Sequence, residues 1–253
     1  MVKKAEKVFE NSKEGYLLNY FLNNKARPIE KWVHYFDVYE LYFEKYRNKP
    51  VNMLEIGVAG GGSMQMWKSY FGKKAFIFGV NIIQKKKELE EEQIKIFIGD
   101  QADRTFLKGL RQQLPKLDII LDDGGHTMEQ QINTFEELWP HLKEGGVYIC
   151  EDVHTSYQKT YNGGYRKAST FMEYSKNLTD NLNAYFSEDK NLKVNDFTNS
   201  IYSISFYDSM IAIVKSARRR AAYSLTTGNM AMKDRVLTRI VKTKKKLWDK
   251  QLL

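Results

Sequence analysis

Apolar residues change their spacing partway along this chain. Between Tyr16 and Phe43 they gather as Tyr16-Leu17-Leu18, Tyr20-Phe21-Leu22, Trp32-Val33-His34-Tyr35-Phe36 and Tyr39 to Phe43, aromatic-rich helical segments broken near Pro28. From Val51 the pattern becomes short apolar runs alternating with stretches of helical period. The runs at 52–58, 75–80, 94–98, 117–121 and 146–150 read as strands, and 63–71, 84–91, 103–114 and 127–141 read as the helices between them. Such alternation predicts a parallel sheet covered by helices. After one more helix over 169–185, runs at 200–206 and 210–214 flank Tyr207-Asp208-Ser209, a spacing that suits a hairpin. The expected fold is α/β and Rossmann-like: a seven-stranded sheet, parallel except for one strand of the C-terminal hairpin, with N-terminal helices in front.

The first strand runs into Leu54-Glu55-Ile56-Gly57-Val58-Ala59-Gly60-Gly61-Gly62-Ser63, where glycines let the backbone approach a ligand closely. The spacing departs from the G-x-G-x-x-G of a pyrophosphate loop, and Glu55 suits a cation better than a diphosphate. The methionine moiety of S-adenosylmethionine is such a cation, and a structural turn is the simpler alternative. Ligands of these sheets lie outside the carboxyl ends of the strands. Glu55, Gly57, Gly61 and Ser63 are therefore candidate cofactor residues, together with Asn81 after the second strand and Asp100 and Gln101 after the third. Asn81 stands where a carboxylate is usual for the ribose hydroxyls, and Asp100-Gln101 also suits the approach to a helix capped at Asp103.

The most informative residues follow strands four and five: Asp122-Asp123-Gly124-Gly125-His126 and Glu151-Asp152-Val153-His154. Four carboxylates at one sheet edge repel one another unless a cation or strong donors neutralise them. Oxygen donors without cysteine favour Mg2+, Ca2+ or Mn2+. Asp122 belongs to the same mouth, on the cofactor side. His126 carries the one side chain there whose ordinary pKa lies near neutrality, which makes it the candidate general base.

With these motifs in place, the chain resembles the macrocin and mycinamicin family of sugar O-methyltransferases. The resemblance runs from Lys31-Trp32-Val33-His34-Tyr35-Phe36 to about Val214, through Leu54-Glu55-Ile56-Gly57-Val58, Gly61-Gly62-Ser63 with Trp67, Gly99-Asp100-Gln101, Asp122-Asp123-Gly124-Gly125-His126-Thr127 with Gln130-Gln131, and Glu151-Asp152-Val153-His154-Thr155-Ser156-Tyr157. It implies a class I methyltransferase fold that uses S-adenosylmethionine and Mg2+ to methylate a hydroxyl of a sugar, a deoxysugar such as rhamnose. It implies Asp123, Glu151 and Asp152 as metal ligands, and His126 with Asp123 as the catalytic pair. A catechol-type methyltransferase, a relative of the cephalosporin hydroxylases and a non-catalytic cofactor-binding module remain alternatives.

Charge alters this picture only at the end of the chain. Residues 217–253 hold 11 Lys or Arg against two Asp or Glu, which accounts for the whole net charge of +9 and leaves 29 of each sign in residues 1–216. A neutral catalytic part argues against nucleic acid as a partner. The organisation expected is a helical segment over 1–48 serving as lid or oligomer contact, a methyltransferase domain over 49–216 and a basic tail over 217–253. The tail's helical pattern suits an anionic membrane surface, an acidic partner or a solvated terminal helix. With Cys150 as the one cysteine and no apolar secretory core after Met1, a cytoplasmic setting is expected. Gly163-Gly164 between Tyr161 and Tyr165 marks a candidate substrate lid over 157–167.

Overall fold

A computed structural model describes residues 15–216, and expectations for 1–14 and for the basic tail at 217–253 lie outside the described residues. Seven strands form one sheet in the order β3-β2-β1-β4-β5-β7-β6. They are β1 Val51–Ile56, β2 Ala75–Asn81, β3 Ile94–Ile98, β4 Leu117–Asp122, β5 Leu142–Cys150, β6 Ile201–Tyr207 and β7 Met210–Lys215. The first five pair in parallel, while β7 runs antiparallel to both β5 and β6. The chain reverses at β1, which pairs with both β2 and β4, and this reversal opens a crevice at the carboxyl ends of the strands.

Because both faces of the sheet are covered, the central strands are apolar almost throughout. In β1, Met53 joins one core layer while Leu54 and Ile56 join the other, the two-residue period of a strand feeding two cores. On the first face lie α1 (Tyr16–Asn23), α2 (Tyr35–Phe43) and α3 (Gly62–Phe71), which contribute Leu17, Tyr35, Tyr39, Phe43 and Trp67. Tyr39, Phe43 and Trp67 pack ring against ring, with centroids 5.1 to 5.7 Å apart. The N-terminal helices within the described residues thus share the core of the sheet. The opposite face carries α4 (Arg104–Gln113), α5 (Met128–Leu138), α6 (Phe171–Asn183) and the short α7 (Asp196–Ser200).

Two predicted helices differ. The stretch expected at 84–91 is a 3-10 helix over Gln84–Leu89 with no buried residue, since Gln84-Lys85-Lys86-Lys87 offers no apolar face to anchor a longer element. The helix expected over 127–141 ends at Leu138 and tightens to a 3-10 turn over Trp139–His141, where Pro140 lacks the N–H that would continue the ladder. Its start is fixed by a capping box: the Thr127 hydroxyl accepts from the Gln130 backbone N–H, and the Gln130 side chain accepts from the Thr127 N–H.

Candidate functional site: a carboxylate cluster at the sheet's switch point

The loops after β1 and β4 approach so closely that one position admits only glycine. A β-carbon on Gly57, whose φ is +92°, would lie 1.9 Å from the backbone oxygen of Asp123. Gly57, Ala59, Asn81, Asp100, Gln101, Asp123 and Gly124 line the resulting cleft, a cavity of about 290 Å³. Asn81 accepts the Ile83 backbone N–H on its side-chain oxygen, and Asp100 accepts that of Ala102. Gln101 is the structural hinge of this wall. Its amide donates to Asp122 and Thr134, and its oxygen accepts the Gly125 N–H.

The remaining candidate cofactor residues stand behind or beside the cleft. Glu55 is fully buried and accepts from the Ser63 hydroxyl at 2.9 Å through Oε2, while its Oε1 makes no well-formed hydrogen bond. Burial pushes its pKa up to about 7, a rise that the nearby Lys31 charge opposes and Asp123 reinforces. Asp122 is equally buried and accepts from the Tyr148 hydroxyl at 2.8 Å and from Gln101 at 3.1 Å; burial likewise raises it to about 7 against these two donors. Gly61, in the left-handed region at φ +79°, starts α3. It faces Leu89 and Arg27.

That contact involves a segment in which sequence reasoning placed no site residue. The chain between α1 and α2 crosses the glycine loop so tightly that a β-carbon on Gly62 would lie 2.4 Å from the carbonyl oxygens of both Arg27 and Pro28. Arg27 fixes this crossing by donating to the Leu89 carbonyl at 2.8 Å. Four residues on, the Lys31 side chain is 2% exposed and its ammonium sits among the carboxylates. It donates to Asp123 and to both oxygens of Glu151 at 3.0 Å, with Glu55 3.8 Å away. Burial alone would lower the Lys31 pKa, but Asp123, Glu151 and Glu55 together raise it above the usual lysine range, so it stays charged.

Glu151, at the end of β5, is fully buried and also accepts from the Tyr39 hydroxyl at 2.5 Å. Burial and the Asp123 charge push its pKa up, with Lys31 and Tyr39 acting against them. Asp152 turns the other way. It accepts from the Tyr35 hydroxyl at 2.6 Å through Oδ1, leaving Oδ2 3.6 Å from His126 Nε2. The same Nε2 lies 3.9 Å from Asp123, and the buried Nδ1 has no hydrogen-bond partner. His126 and Asp152 both adopt left-handed backbone, at φ +60° and +52°, and Ala59 on the glycine loop does so at +43°. Three non-glycine residues held in that region around one cleft mark a constrained site.

Aromatic rings border it. Trp32, half exposed, lies 5.8 Å from the His154 ring, and Tyr161 stands 6.3 Å from His126. His154 itself pairs with Ser209 at 2.5 Å. His34, by contrast, bonds the Asp208 carbonyl, and His141 is held between the Leu114 and Pro115 carbonyls. In the segment expected as a lid, Gly163 is pressed against the Thr155 and Ser156 backbone, where a β-carbon would meet oxygen at 2.4 Å; that glycine serves close packing.

The donor set fits a hard divalent cation. Asp123 and Asp152 offer carboxylate oxygens within 4.8 Å of one another and of a ring nitrogen of His126, and the cluster already holds one positive charge, the Lys31 ammonium. Asp123 and Asp152 belong to the ligand set that the sequence suggests. Glu151 faces Lys31 and Tyr39 on the inner side of the cluster.

Strand order, C-terminal hairpin and a glycine-lined cleft at the chain reversal define the class I methyltransferase fold. Residues 54–153 match the family model described as "Methyltransferase domain". Within that class the chain is homologous to macrocin-, mycinamicin- and tetracenomycin-type sugar O-methyltransferases. It is 36% identical over 163 residues to the 8-demethyl-8-alpha-L-rhamnosyl tetracenomycin-C 2'-O-methyltransferase of Streptomyces olivaceus, covering 60% of this chain and 43% of that one. With the demethylmacrocin O-methyltransferase of Streptomyces fradiae it shares 38% identity over 143 residues, 53% of this chain and 36% of the relative. The crystal structure of the MycE methyltransferase from the mycinamycin biosynthetic pathway, in complex with Mg, SAH and mycinamycin VI, superposes with a TM-score of 0.67 at 29% identity, over 77% of this chain and 53% of that one. The chain thus spans less than half the length of these curated relatives.

Proposed function

We propose that this protein transfers a methyl group from S-adenosylmethionine to a hydroxyl of a sugar acceptor, with a divalent cation, Mg2+ by preference, held by Asp123 and Asp152. One observation carries the reading: Asp123, Glu151, Asp152 and the His126 imidazole, whose Nε2 faces Asp123 and Asp152, converge beside the glycine-lined cleft. The likeness to rhamnosyl and macrolide O-methyltransferases supports a deoxysugar as the acceptor. Ring faces at Trp32 and Tyr161 suit the C–H face of a pyranose.

When bound, the cation polarises the acceptor hydroxyl and eases loss of its proton. The chain's own residues then have separate tasks. Gly57, Asn81, Asp100 and Gln101 line the pocket that would hold the donor, and Glu55, buried in β1, would supply negative charge toward the donor's positive end. His126 accepts the hydroxyl proton on Nε2, the atom that faces Asp123 and Asp152. Tyr35 and Tyr39 fix the Asp152 and Glu151 carboxylates, so that little reorganisation is needed during transfer.

The same reading includes a cytoplasmic setting, supported by the free, buried thiol of Cys150. Among the described residues no helix is long and apolar enough to cross a membrane. The test is a methyl-transfer screen with isotopically labelled S-adenosylmethionine over free rhamnose, nucleotide-linked deoxysugars and rhamnosylated glycans. Label in a deoxysugar acceptor is expected. Label in catechols alone, or in no acceptor despite donor binding, would overturn the reading.

A further inference from the structure

The Lys31 ammonium occupies the inner side of the carboxylate cluster, where it bridges Asp123 and Glu151 and approaches Glu55. Two cations of the proposed reaction are to be accommodated at these same carboxylates. The divalent ion would be held in part by Asp123, and the donor's methionine ammonium would find Glu55, whose Oε1 is buried without a well-formed hydrogen bond. A third cation in their midst is electrostatically redundant once they arrive, and necessary until they do. Without it, Glu55, Asp123 and Glu151 would lose the ammonium they share, and hydroxyl donors such as Ser63 on Glu55 and Tyr39 on Glu151 would not replace its charge.

We propose that Lys31 is a resident counter-ion which competes with the divalent cation for Asp123, and whose displacement loosens the 24–31 segment from the glycine loop. This inference rests on the metal-dependent reading above. The coupling is mechanical. The Lys31 side chain is 2% exposed and the chain four residues earlier packs against Gly60, Gly61 and Gly62, so that withdrawal of the ammonium is expected to disturb the crossing. Arg27 and Pro28 contribute the atoms that bar the loop. Metal entry and access of the donor to the glycine loop then become one event. The device offsets part of the cluster's negative charge and holds the crossing closed, and it opens when a competing cation arrives.

The competition is read without turnover, by calorimetric titration of Mg2+ into the full chain carrying Lys31→Met or Lys31→Gln, with the unaltered protein alongside. Both substitutions remove the charge, and Lys31→Gln retains a hydrogen-bond donor in case the apolar side chain disturbs folding. Removing the competitor is expected to tighten Mg2+ binding by about tenfold or more, the equivalent of one charge-assisted hydrogen bond. Mg2+ should also raise the melting temperature of both variants by more than it raises that of the parent. In the parent, saturating Mg2+ should speed amide hydrogen exchange at residues 24–31. Equal or weaker Mg2+ affinity in both variants would overturn the proposal while leaving metal dependence intact. No Mg2+ binding by any of the three proteins would overturn it together with the reading on which it rests. Exchange at 24–31 unchanged by Mg2+ would refute the coupling to the glycine loop.

Discussion

The carbonyl oxygen of Asp123 lies 1.9 Å from the point at which residue 57 would carry a β-carbon, so the turn after β4 packs directly on the bare backbone of Gly57 at the end of β1. The contact sets where the Asp123 carboxylate stands relative to the cofactor cleft. Gly57→Ala forces the two loops apart and must also adopt φ near +92°. The expected result is a loss of about 2 kcal/mol or more in stability together with loss of donor binding. Chemical denaturation and calorimetry measure both.

Tyr39 reaches Glu151 from α2, donating a 2.5 Å hydrogen bond inside the core. Tyr39→Phe leaves the ring packing with Phe43 and Trp67 in place and removes one donor from a buried carboxylate. A cost of about 1–3 kcal/mol follows for a buried acceptor deprived of its partner. Urea denaturation in the absence of metal should show it. A stability equal to that of the parent would mean that Lys31 alone satisfies Glu151.

Glu55 gives donor binding a pH dependence. Burial holds its pKa up at about 7, above its ordinary 4.5, so the neutral acid prevails below that pH and the carboxylate above it. The carboxylate is the form that attracts a cationic ligand. Affinity for S-adenosylmethionine should therefore rise as pH increases from 6 to 8 and level off above, and Glu55→Gln should flatten the profile. Calorimetry across that range is the check, and affinity that falls with rising pH would contradict it.

His126 is aimed by its backbone. With φ at +60°, its ring presents Nε2 to Asp123 and Asp152 at 3.9 and 3.6 Å. His126→Ala should lower turnover by about a hundredfold or more, the usual share of a general base, while donor affinity changes little. Single-turnover rates and donor titration separate the two effects.

Much of this organisation is legible in the residues themselves. Strand ends could be placed because Gly57, Asn81, Gly99 and Asp122 punctuate apolar runs of strand length, and they stand at the carboxyl edge of the sheet. The acidic motifs were visible because like charges at the ends of adjacent strands require an explanation. Other parts were hidden for physical reasons. Lys31 lies in a segment without regular structure, 92 and 120 residues from the carboxylates it binds, and no local period shows that a lysine is buried. Its place at the head of Lys31-Trp32-Val33-His34-Tyr35-Phe36 was the available signal. Asp122 and Asp123 are neighbours with opposite environments, since alternation along β4 sends Asp122 to Tyr148 and Gln101 while Asp123 faces the cleft. A sequence displays the pair but not which member is buried.

Methyl transfer to a rhamnose-type acceptor, compared in EDTA and in Mg2+, tests the account at its centre. Transfer that disappears in EDTA, returns with Mg2+, and is absent at any Mg2+ concentration in Asp123→Ala is the outcome expected of a cation held at this cluster. Equal rates in EDTA and Mg2+, or full activity in Asp123→Ala, would contradict it.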